Sequence, residues 1–394
     1  MPVRRRLAPL LSPLAARTLL WGGRARASTV AQPGPVVVSS FFNEVLGIGR
    51  AGELTASALE AAGFEVIRHN LRPVLEASPY AALDLPGDPA GAWILQCNAP
   101  EAEIALARID RAQWDRRLRI GYWAWELPKA PPGWGRTAGL FHRLWALSAF
   151  TQQSLAGFGR PVAVMPPPVP VNEARADHAR FGLNAARLHV LAMADLRSTA
   201  ARKNPGGTLD LFMRLYPQPQ DAVVLLLKIT GARHDQEALA VLRARAADRP
   251  DVRLMTEDLP AAAMEALFAT ADVFVSLHRA EGFGLPAAEA LAAGTPALAT
   301  GWSGVMTFMH GMDDLLVDHK LVPVPEGTPH YGGQAERWAE PDLADAASKL
   351  ARLIGDANLR RRTGEDGRRR VAGLQAFWTR ERLAEAGLAT GPAG

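Results

Sequence analysis

The sequence predicts an α/β protein with two parallel-sheet domains. From Val36 onward, short apolar runs alternate with amphipathic stretches, the pattern expected when helices cover both faces of a parallel sheet. A proline-rich stretch, PPPVPVNEA (Pro166–Ala174), interrupts this alternation, and such breaks are typical of linkers. A length of 394 residues is also long for one hydrophobic core. We therefore expect an N-terminal domain over residues 34–170, a C-terminal domain over 171–375, and a last helix over 376–394 that packs back on the first domain.

Each domain contributes its own series of strands and helices. The strands predicted in the first domain are VVVSS, FEVIRHN, AWILQCN, IGYWAWE, RLWALS and VAVMP. A helix, LTASALEAAG, follows the first strand and ends at Gly63, because glycine is a frequent helix stop. The strands predicted in the second domain are LHVLAMAD, VVLLLKI, VRLMT, VFVSLH and TPALAT. Helices around GTLDLFMRLYP, QEALAVLRARAA and AAAMEALFATA separate them, and two charged helices follow, with the arginine runs 360–362 and 368–370 on a solvated face.

The basic character of the chain lies in an N-terminal arm, residues 1–33. The first 35 residues hold six arginines and no acid, so subtracting these charges from the net +4 leaves −2 for the remainder. The body is therefore not a nucleic-acid binder by charge. The arm has four interpretations: a start-site artefact, a disordered tail, a targeting peptide or a basic helix in peripheral contact with the inner face of a membrane.

Cysteine content and hydropathy favour a cytoplasmic protein. The one cysteine, Cys97, cannot form an intramolecular disulfide, which fits a reducing compartment and a small core residue. No apolar run reaches the roughly 18 residues that a membrane-spanning helix needs.

The densest chemistry lies in the segment Ser276–Gly304, SLHRAEGFGLPAAEALAAGTPALATGWSG. The predicted strand VFVSL leads into a tight loop, EGFGLP, and then a short helix, with Pro286 in its first turn and Gly294 as its stop. A glycine-flanked loop that enters a helix presents free backbone amides and the positive end of the helix dipole, which together bind phosphate. Two carboxylates, Glu281 and Glu289, bracket this loop with the spacing E-x7-E. Since carboxylates accept hydrogen bonds from vicinal hydroxyls, the pattern predicts a phosphorylated sugar or nucleoside as ligand.

This segment resembles the E-x7-E signature of the retaining glycosyltransferases of family 4, which have the GT-B fold of two Rossmann-like domains that face each other across a cleft. The resemblance implies that Glu281 faces the donor sugar and that Glu289 holds the ribose hydroxyls. His278, just before the loop, is a further candidate contact to the sugar or the leaving phosphate. The loop residues implied beside the donor are Gly282, Phe283, Gly284 and Leu285.

Three cations are predicted to neutralise the diphosphate. ADLRSTAARKNP (Ala194–Pro205) resembles the first loop of the family's second domain and contains Arg197 and Lys203, with Arg202 as an alternative to Lys203. Lys228 ends the predicted strand VVLLLK. A metal-dependent transferase of the other common fold uses a D-x-D triplet for this task, and the sequence contains no D-x-D. We therefore expect cations in place of a metal, with no metal site and no cofactor.

Two further segments resemble a bacterial branch of the family. In GYWAWELPKAPPGW (Gly121–Trp134), a W-E pair ends a strand, and Trp125 and Glu126 are thus candidate acceptor or cleft residues. An aromatic platform beside a carboxylate suits a sugar, whereas the competing interpretation is a tryptophan-rich core strand. WAEPD (Trp338–Asp342) matches the same branch and is interpreted as structural.

The stretch GIGRAG (Gly47–Gly52) has the spacing G-x-G-x-x-G of a dinucleotide-binding loop. In that fold the first glycine follows the strand almost at once, but FFNEVL separates Ser40 from Gly47. The resemblance implies another use, in which a glycine-rich loop faces the donor and the absence of side chains at Gly47 and Gly49 lets the backbone approach the reacting groups.

The predicted function is the metal-independent transfer of a hexosyl group, with retention, from a GDP- or UDP-sugar to a glycan or a lipid-linked acceptor. The nucleotide sugar is a co-substrate. Glu281, Arg197 and Lys203 are the predicted catalytic residues. The alternatives are an inactive nucleotide-sugar-binding subunit, an NAD(P)-dependent oxidoreductase based on GIGRAG, and a GT-B phosphorylase, which would need a lysine-bound pyridoxal site and a longer chain.

Overall fold

The computed structural model describes residues 33–42, 44, 47–77, 83–88, 90–331 and 336–388. Residues 1–32 of the predicted arm therefore lie outside the described residues. Within the described ranges, no helix combines the length and the apolar character needed to cross a bilayer.

The chain divides into two compact units. The first unit ends at Pro168 and also includes the segment from Gln375, whereas the second runs from Val169 to Leu374. Each unit contains a parallel six-stranded sheet, with the orders β2-β1-β3-β4-β5-β6 and β12-β11-β10-β7-β8-β9. The predicted α/β class with two parallel sheets is confirmed.

The strands follow the apolar runs of the sequence. The first sheet comprises β1 (Val36–Ser40), β2 (Val66–Asn70), β3 (Ala92–Leu95), β4 (Leu118–Trp123), β5 (Arg143–Ala146) and β6 (Val162–Val164). The second comprises β7 (Leu188–Asp195), β8 (Val223–Thr230), β9 (Val252–Met255), β10 (Val273–Ser276), β11 (Ala297–Thr300) and β12 (Leu316–Val317). An antiparallel hairpin of β13 (His319–Pro323) and β14 (Arg337–Pro341) follows. Strands β1, β3, β4 and β8 are buried along their whole length, as expected for parallel strands covered on both faces.

Helices connect these strands in both units. The α-helices of the first unit are Gly47–Ala61, Arg72–Glu76, Ala99–Arg108, Arg111–Trp114, Trp134–Ala138, Ala149–Leu155 and Arg380–Glu385. Those of the second are Ala200–Lys203, Pro205–Leu215, Gln236–Ala246, Ala261–Thr270, Leu285–Ala292, Met306–Met309, Leu343–Gly355 and Ala357–Ala372. We call Leu285–Ala292 the donor helix and Ala357–Ala372 the arginine helix.

The C-terminal segment belongs to the first unit through specific contacts. The indole N–H of Trp378 donates to the carbonyl of Pro166 at 2.8 Å, and that of Trp145 donates to the carbonyl of Ala386 at 3.0 Å. The guanidinium of Arg380 donates to the carbonyl of Ala62 at 2.8 Å. These bonds join residues 378–386 to Trp145 in β5, to Pro166 after β6 and to Ala62 at the end of the first helix.

The GIGRAG stretch is helical, which corrects its interpretation as a loop. The helix begins at Gly47, several residues before the predicted start of LTASALEAAG. A Cβ at Gly49 would lie 2.4 Å from the carbonyl oxygen of Phe41, and a Cβ at Gly52 would lie 2.4 Å from Oγ of Ser40. These two glycines therefore let the helix pack closely on the end of β1. At Gly47 a Cβ would meet nothing within 4 Å, and donor contact by Gly47 and Gly49 stays a prediction.

Two glycines also let the arginine helix approach the donor helix. A Cβ at Gly364 would lie 1.9 Å from the carbonyl oxygen of Gly294, which ends the donor helix with a φ of +82°. A Cβ at Gly367 would lie 2.3 Å from Cδ2 of Leu291. The opposite side of the arginine helix is exposed, and Arg361 pairs there with Glu365 at 3.2 Å. The predicted solvated face is therefore present, and the buried face supports the donor helix.

Replacing Gly364 with alanine should destabilise the second unit. The new methyl group cannot avoid the backbone of Gly294, so we expect a loss of about 1–3 kcal/mol, as for other overpacked cores, which outweighs the gain of less than about 1 kcal/mol from helix propensity. Chemical denaturation of the full chain measures this loss. Gly355→Ala is the matched control, because Gly355 ends a neighbouring helix with nothing within 4 Å of an added Cβ. Equal stability of the two variants would contradict the packing argument.

Candidate functional site

The predicted donor loop, residues 281–284, lies between β10 and the donor helix, and close backbone packing fixes its shape. Gly284 has a φ of +92°, and an added Cβ there would lie 2.4 Å from Cγ1 of Val305. A Cβ at Gly304 would lie 2.3 Å from the backbone of Gly282. The loop and the segment 303–305 therefore fit together only because both contain glycine. Phe283 is buried and its ring packs 5.0 Å from that of Phe308.

Ser303 stabilises the loop in a backbone conformation that is unusual for its residue type. Its φ is +66°, in the left-handed region that costs energy for residues other than glycine. The backbone N–H of Glu281 donates to Oγ of Ser303 at 2.9 Å, and the N–H of Gly304 donates to the carbonyl of Glu281 at 2.9 Å. Backbone strain at Ser303 is thus offset by two hydrogen bonds to the residue that carries the predicted catalytic carboxylate.

A second strained segment brings two cations to the same loop. Thr199 and Asn204, with φ values of 66° and 54°, flank the short helix Ala200–Lys203. The side chain of Asn204 accepts from the N–H of Gly207 at 3.1 Å, and its amide donates to the carbonyl of Leu277 at 2.9 Å. Asn204 therefore caps the next helix and ties the short helix to the chain just before the donor loop.

The Glu281 carboxylate is the electrostatic centre of the site. It is 8% exposed, and its Oε1 lies 2.5 Å from Nζ of Lys203. Its Oε2 lies 3.4 Å from Nη1 of Arg202, which also donates to the carbonyl of Ala280 at 2.7 Å. Burial raises the pKa of Glu281, but the positive charges of Lys203 and Arg202 outweigh this effect and bring the pKa down to about 2. The carboxylate is therefore ionised throughout the physiological range.

His278 is a buried neutral base beside this carboxylate. It is fully buried, and its Nδ1 lies 3.1 Å from Oγ of Ser276, while Nε2 lies 3.4 Å from the carbonyl oxygen of Trp302. Because a carbonyl only accepts, these partners assign the proton to Nε2, and Nδ1 accepts from the serine hydroxyl. Burial lowers the pKa of His278 to about 4, although the charge of Glu281 acts in the opposite direction.

The other predicted cations have partners of their own. Arg197 makes a bidentate pair with Asp195, with distances of 2.8 Å and 3.0 Å from Nε and Nη2 to the two carboxylate oxygens. Lys228 is fully buried, and its ammonium donates to the carbonyl of Glu257. Burial lowers the pKa of Lys228, against the opposing charges of the neighbouring carboxylates. Strand β8 continues to Thr230, so the expectation that Lys228 ends the strand is wrong.

The donor helix carries the second carboxylate of the motif. Glu289 lies in this helix and is half-buried, as is Leu285, the first helical residue. Pro286 occupies the first turn, and Gly284 is the N-cap. These features confirm the predicted loop and helix, whereas contact with a donor is a prediction for each residue of the loop.

Trp125 lies in an aromatic core, which corrects its interpretation as a platform for a sugar. It is 4% exposed, its ring centroid lies 4.9 Å from that of Trp134, and its indole N–H donates to the carbonyl of Lys129 at 2.8 Å. A ring covered in this way has no free face on which a sugar can stack. Glu126 is half-buried, and its proposed contact with an acceptor stays a prediction.

His142, in the first unit, is a core residue. Its Nδ1 accepts from the backbone N–H of Arg119 at 2.9 Å, and burial lowers its pKa to about 4. Because Nδ1 is occupied by a backbone amide, the geometry assigns His142 a structural role.

Sequence reasoning missed part of the support of the site. Arg202 was named as an alternative to Lys203, but both contact Glu281. Asn204 and Ser303 were not singled out, although Asn204 directly before Pro205 is a recognised helix-start pattern. Arg279 was also overlooked, although it stands two positions before Glu281 in the same motif.

The groups at this site are of the kinds that bind phosphate. The site combines two cations, a glycine-containing loop and a helix N-terminus. Among the described residues, no group of three or more histidine, cysteine, aspartate or glutamate side chains is placed to hold a metal ion.

Two parallel-sheet units and a loop–helix site with this carboxylate are features of glycosyltransferases with the GT-B fold. A family model described as "Family 4 Glycosyltransferase in conflict systems" matches residues 146–372, which is more than half of the chain. The chain belongs to this family and is a glycosyltransferase. A comparison with curated protein sequences gave no match.

Crystal structures of other glycosyltransferases are similar to this chain. TarM from S. aureus has 12% sequence identity and a TM-score of 0.53; the similarity covers 75% of this chain and 54% of TarM. Sucrose-phosphate synthase from Thermosynechococcus elongatus has 18% identity and a TM-score of 0.63, over 89% of this chain and 96% of that protein. HepE from Anabaena has 13% identity and a TM-score of 0.62, over 89% and 98%. At these identities the likeness concerns the fold, and it confirms the expected GT-B class.

Acid should destabilise the protein in two ranges of pH. Between pH 6.5 and 4 an unfolded histidine binds a proton, whereas His278, with a pKa of about 4, does not, so the free energy of unfolding should fall as pH is lowered through this range. Below pH 4.5 the Glu281 carboxylate adds a further loss, because its pKa of about 2 lies below its ordinary value. Denaturation midpoints measured from pH 7 to pH 4 test the first effect.

Substitution of His278 isolates its contribution to the pH dependence of the free energy of unfolding. In His278→Gln, the loss of unfolding free energy between pH 6.5 and 4 should shrink by up to about 3 kcal/mol, the equivalent of the pKa shift. His234→Gln, at an exposed position, serves as control. The same pH dependence in wild type and His278→Gln would show that the buried imidazole is not the cause.

Proposed function

We propose that this glycosyltransferase moves a hexosyl group, with retention of the anomeric configuration, from a UDP- or GDP-sugar to a hydroxyl of a glycan or a lipid-linked acceptor, without a metal ion. The observation that carries the proposal is the buried, ionised Glu281 carboxylate with Lys203 at 2.5 Å, at the entrance to the donor helix. This arrangement brings a negative charge, a positive charge and loop amides close together in space, which is what a sugar diphosphate requires.

The negative charge suits the sugar. Breaking the bond between the anomeric carbon and the phosphate leaves positive charge on the sugar ring, and a fixed carboxylate stabilises that charge as it develops. The same carboxylate oxygens accept hydrogen bonds from sugar hydroxyls. With a pKa of about 2, Glu281 performs both tasks without a change of protonation.

The positive charges suit the leaving group. Lys203 and Arg197 are only part-buried, and they supply charge to the diphosphate as the glycosyl–phosphate bond breaks. The amides at the start of the donor helix bind the phosphate oxygens, and Glu289 holds the ribose hydroxyls. Lys228 donates to a backbone carbonyl and is buried, so its contribution to donor binding requires a change of partner.

Retention follows from transfer on a single face of the sugar. The acceptor oxygen bonds to the anomeric carbon on the face from which the phosphate leaves, and the proton of the acceptor hydroxyl passes to the leaving phosphate. No protein nucleophile is needed in this scheme. The crystal structure of TarM is a complex with UDP, and that of HepE is a complex with UDP and glucose, which makes UDP-sugars the first donors to test.

Substitution of the site residues should abolish turnover while the nucleotide still binds. Glu281→Gln keeps the shape of the side chain but removes its charge, and we expect donor turnover to fall by about 100-fold or more. Release of nucleoside diphosphate from a panel of UDP- and GDP-sugars, in the presence of EDTA, measures this. Glu365→Gln is a matched control, because Glu365 lies on the exposed side of the arginine helix.

Lys203→Met tests the cation and needs a stability control. It removes the partner of a buried carboxylate, and such losses cost about 3–5 kcal/mol, so folding must be verified before turnover is compared. Lys203→Arg keeps the charge and should retain more activity. Nucleotide binding without turnover in the wild type would favour an inactive nucleotide-sugar-binding subunit, whereas full activity of Glu281→Gln would refute the role of that carboxylate.

A further inference from the structure

Arg279 connects the predicted donor loop to two other segments of the second unit. It stands two residues before Glu281, and its backbone N–H donates to the carbonyl of Arg202 at 2.8 Å. Its Nη1 donates to the carbonyl of Ala201 at 2.6 Å. Both acceptors lie in the short helix that carries Lys203. Arg279 thus adds two hydrogen bonds between the two chain segments that supply Glu281 and its cations.

The other contacts of Arg279 are to strand β14. Its guanidinium forms a bidentate pair with Glu340, at 2.5 Å and 2.9 Å, and lies over the ring of Trp338 at 5.7 Å from the centroid. Its backbone carbonyl accepts from the N–H of Ala339 at 2.9 Å. Three consecutive residues of β14 therefore contact one arginine: Ala339 binds its backbone, Glu340 pairs with its charge, and Trp338 packs on its guanidinium.

The hairpin also reaches the far side of the loop. β13 pairs with β14 in antiparallel register, and its first residue, His319, lies with its ring 6.5 Å from that of Trp302. The carbonyl of Trp302 is the partner of His278. The hairpin consequently contacts the residues just before the donor loop and those just after the donor helix and β11.

We propose that Arg279 and the β14 segment Trp338–Glu340 form a positioning brace, which sets the geometry of Glu281 and Lys203 without contacting the substrate. The catalytic part of this proposal rests on the proposed function. It assigns a role to WAEPD, which the sequence presented as a motif without chemistry. The tryptophan supports the guanidinium, the glutamate orients it, and Asp342, the last residue of the motif, caps the next helix by accepting from the N–H of Ala344 at 2.8 Å.

The effect of the brace on the free energy of unfolding can be distinguished from its effect on the position of the donor loop. Glu340 is 44% exposed, and ion pairs with that exposure contribute little to the free energy of unfolding, because water and salt screen them. The same pair is bidentate and planar, and this geometry restricts orientation. A brace therefore predicts a large effect on the donor loop and a small effect on global stability, whereas an ordinary surface ion pair predicts a small effect on both.

The test combines hydrogen–deuterium exchange with kinetics on the full chain. In Glu340→Ala, the amides of residues 277–285 should exchange at least several-fold faster than in wild type, while the strands of the second sheet keep their protection. Donor turnover is measured as nucleoside diphosphate release from the best UDP- or GDP-sugar. Its kcat/KM should fall on the order of tenfold, as for other residues that orient a functional side chain without touching the substrate. Glu340→Gln, which keeps one neutral acceptor, should lose less of both.

The matched control is Glu365→Gln, together with Glu365→Ala. Glu365 is another exposed carboxylate of the same unit that pairs with an arginine, at 3.2 Å from Arg361. Neither variant should alter exchange in residues 277–285 or the turnover of the donor. Thermal denaturation of all variants establishes that the global fold is intact, and Arg279→Lys, which keeps charge but loses the planar pair, should reproduce the defect of Glu340→Ala.

The two proposals fail in different ways. Unchanged exchange in residues 277–285 for Glu340→Ala and Arg279→Lys overturns the brace, whatever the enzyme does with sugars. Faster exchange with no nucleoside diphosphate release from any donor, even in wild type, supports the brace and overturns the proposed function. Faster exchange with unchanged kcat/KM in an active enzyme overturns the positioning role, because the loop would then tolerate the loss of its support.

Discussion

The buried charge of Glu281 is the constraint on which the site depends. A carboxylate cannot stay ionised away from water unless cations and hydrogen-bond donors replace its hydration. Here the compensation comes from Lys203, 78 residues earlier in the sequence, so two distant segments must be held together closely. The left-handed residues Asn204 and Ser303 each make a hydrogen bond to the segment that carries Glu281, at Leu277 and at Glu281 itself. Two residues in a strained backbone conformation thus help to hold this segment in place.

Much of the fold was predictable because it depends on local patterns. Fully buried strands such as β8 produce continuous apolar runs, and the donor helix is bounded by proline and glycine at their usual positions. The spacing of Glu281 and Glu289 likewise indicated the kind of loop that the structure contains. Such features are encoded within about ten residues, and sequence reasoning reads them directly.

What escaped prediction depends on tertiary packing rather than on a repeating local pattern. GIGRAG has the composition of a loop, but Gly49 is needed where a helix meets the carbonyl of Phe41, and only tertiary contact reveals this. Trp125 looked equally suited to a core and to a sugar platform until Trp134 was found against its ring. The hairpin β13–β14 was missed because its first strand is half-exposed and lacks a continuous apolar run. In each case the deciding neighbour is not adjacent in sequence.

The cations of the site already have partners, which shapes how a diphosphate would be held. Lys203 pairs with Glu281 and Arg197 pairs with Asp195, so a bound phosphate would share or replace an existing carboxylate contact. The free energy of binding gained from each cation is then the difference between its ion pair with phosphate and its existing ion pair with a carboxylate. This difference is smaller than the gain that a cation without a carboxylate partner would give. In exchange, the cations are partly buried and oriented before the substrate arrives, so little reorganisation is needed when charge develops on the leaving group. In the proposed function, such a site favours the transition state over the ground state.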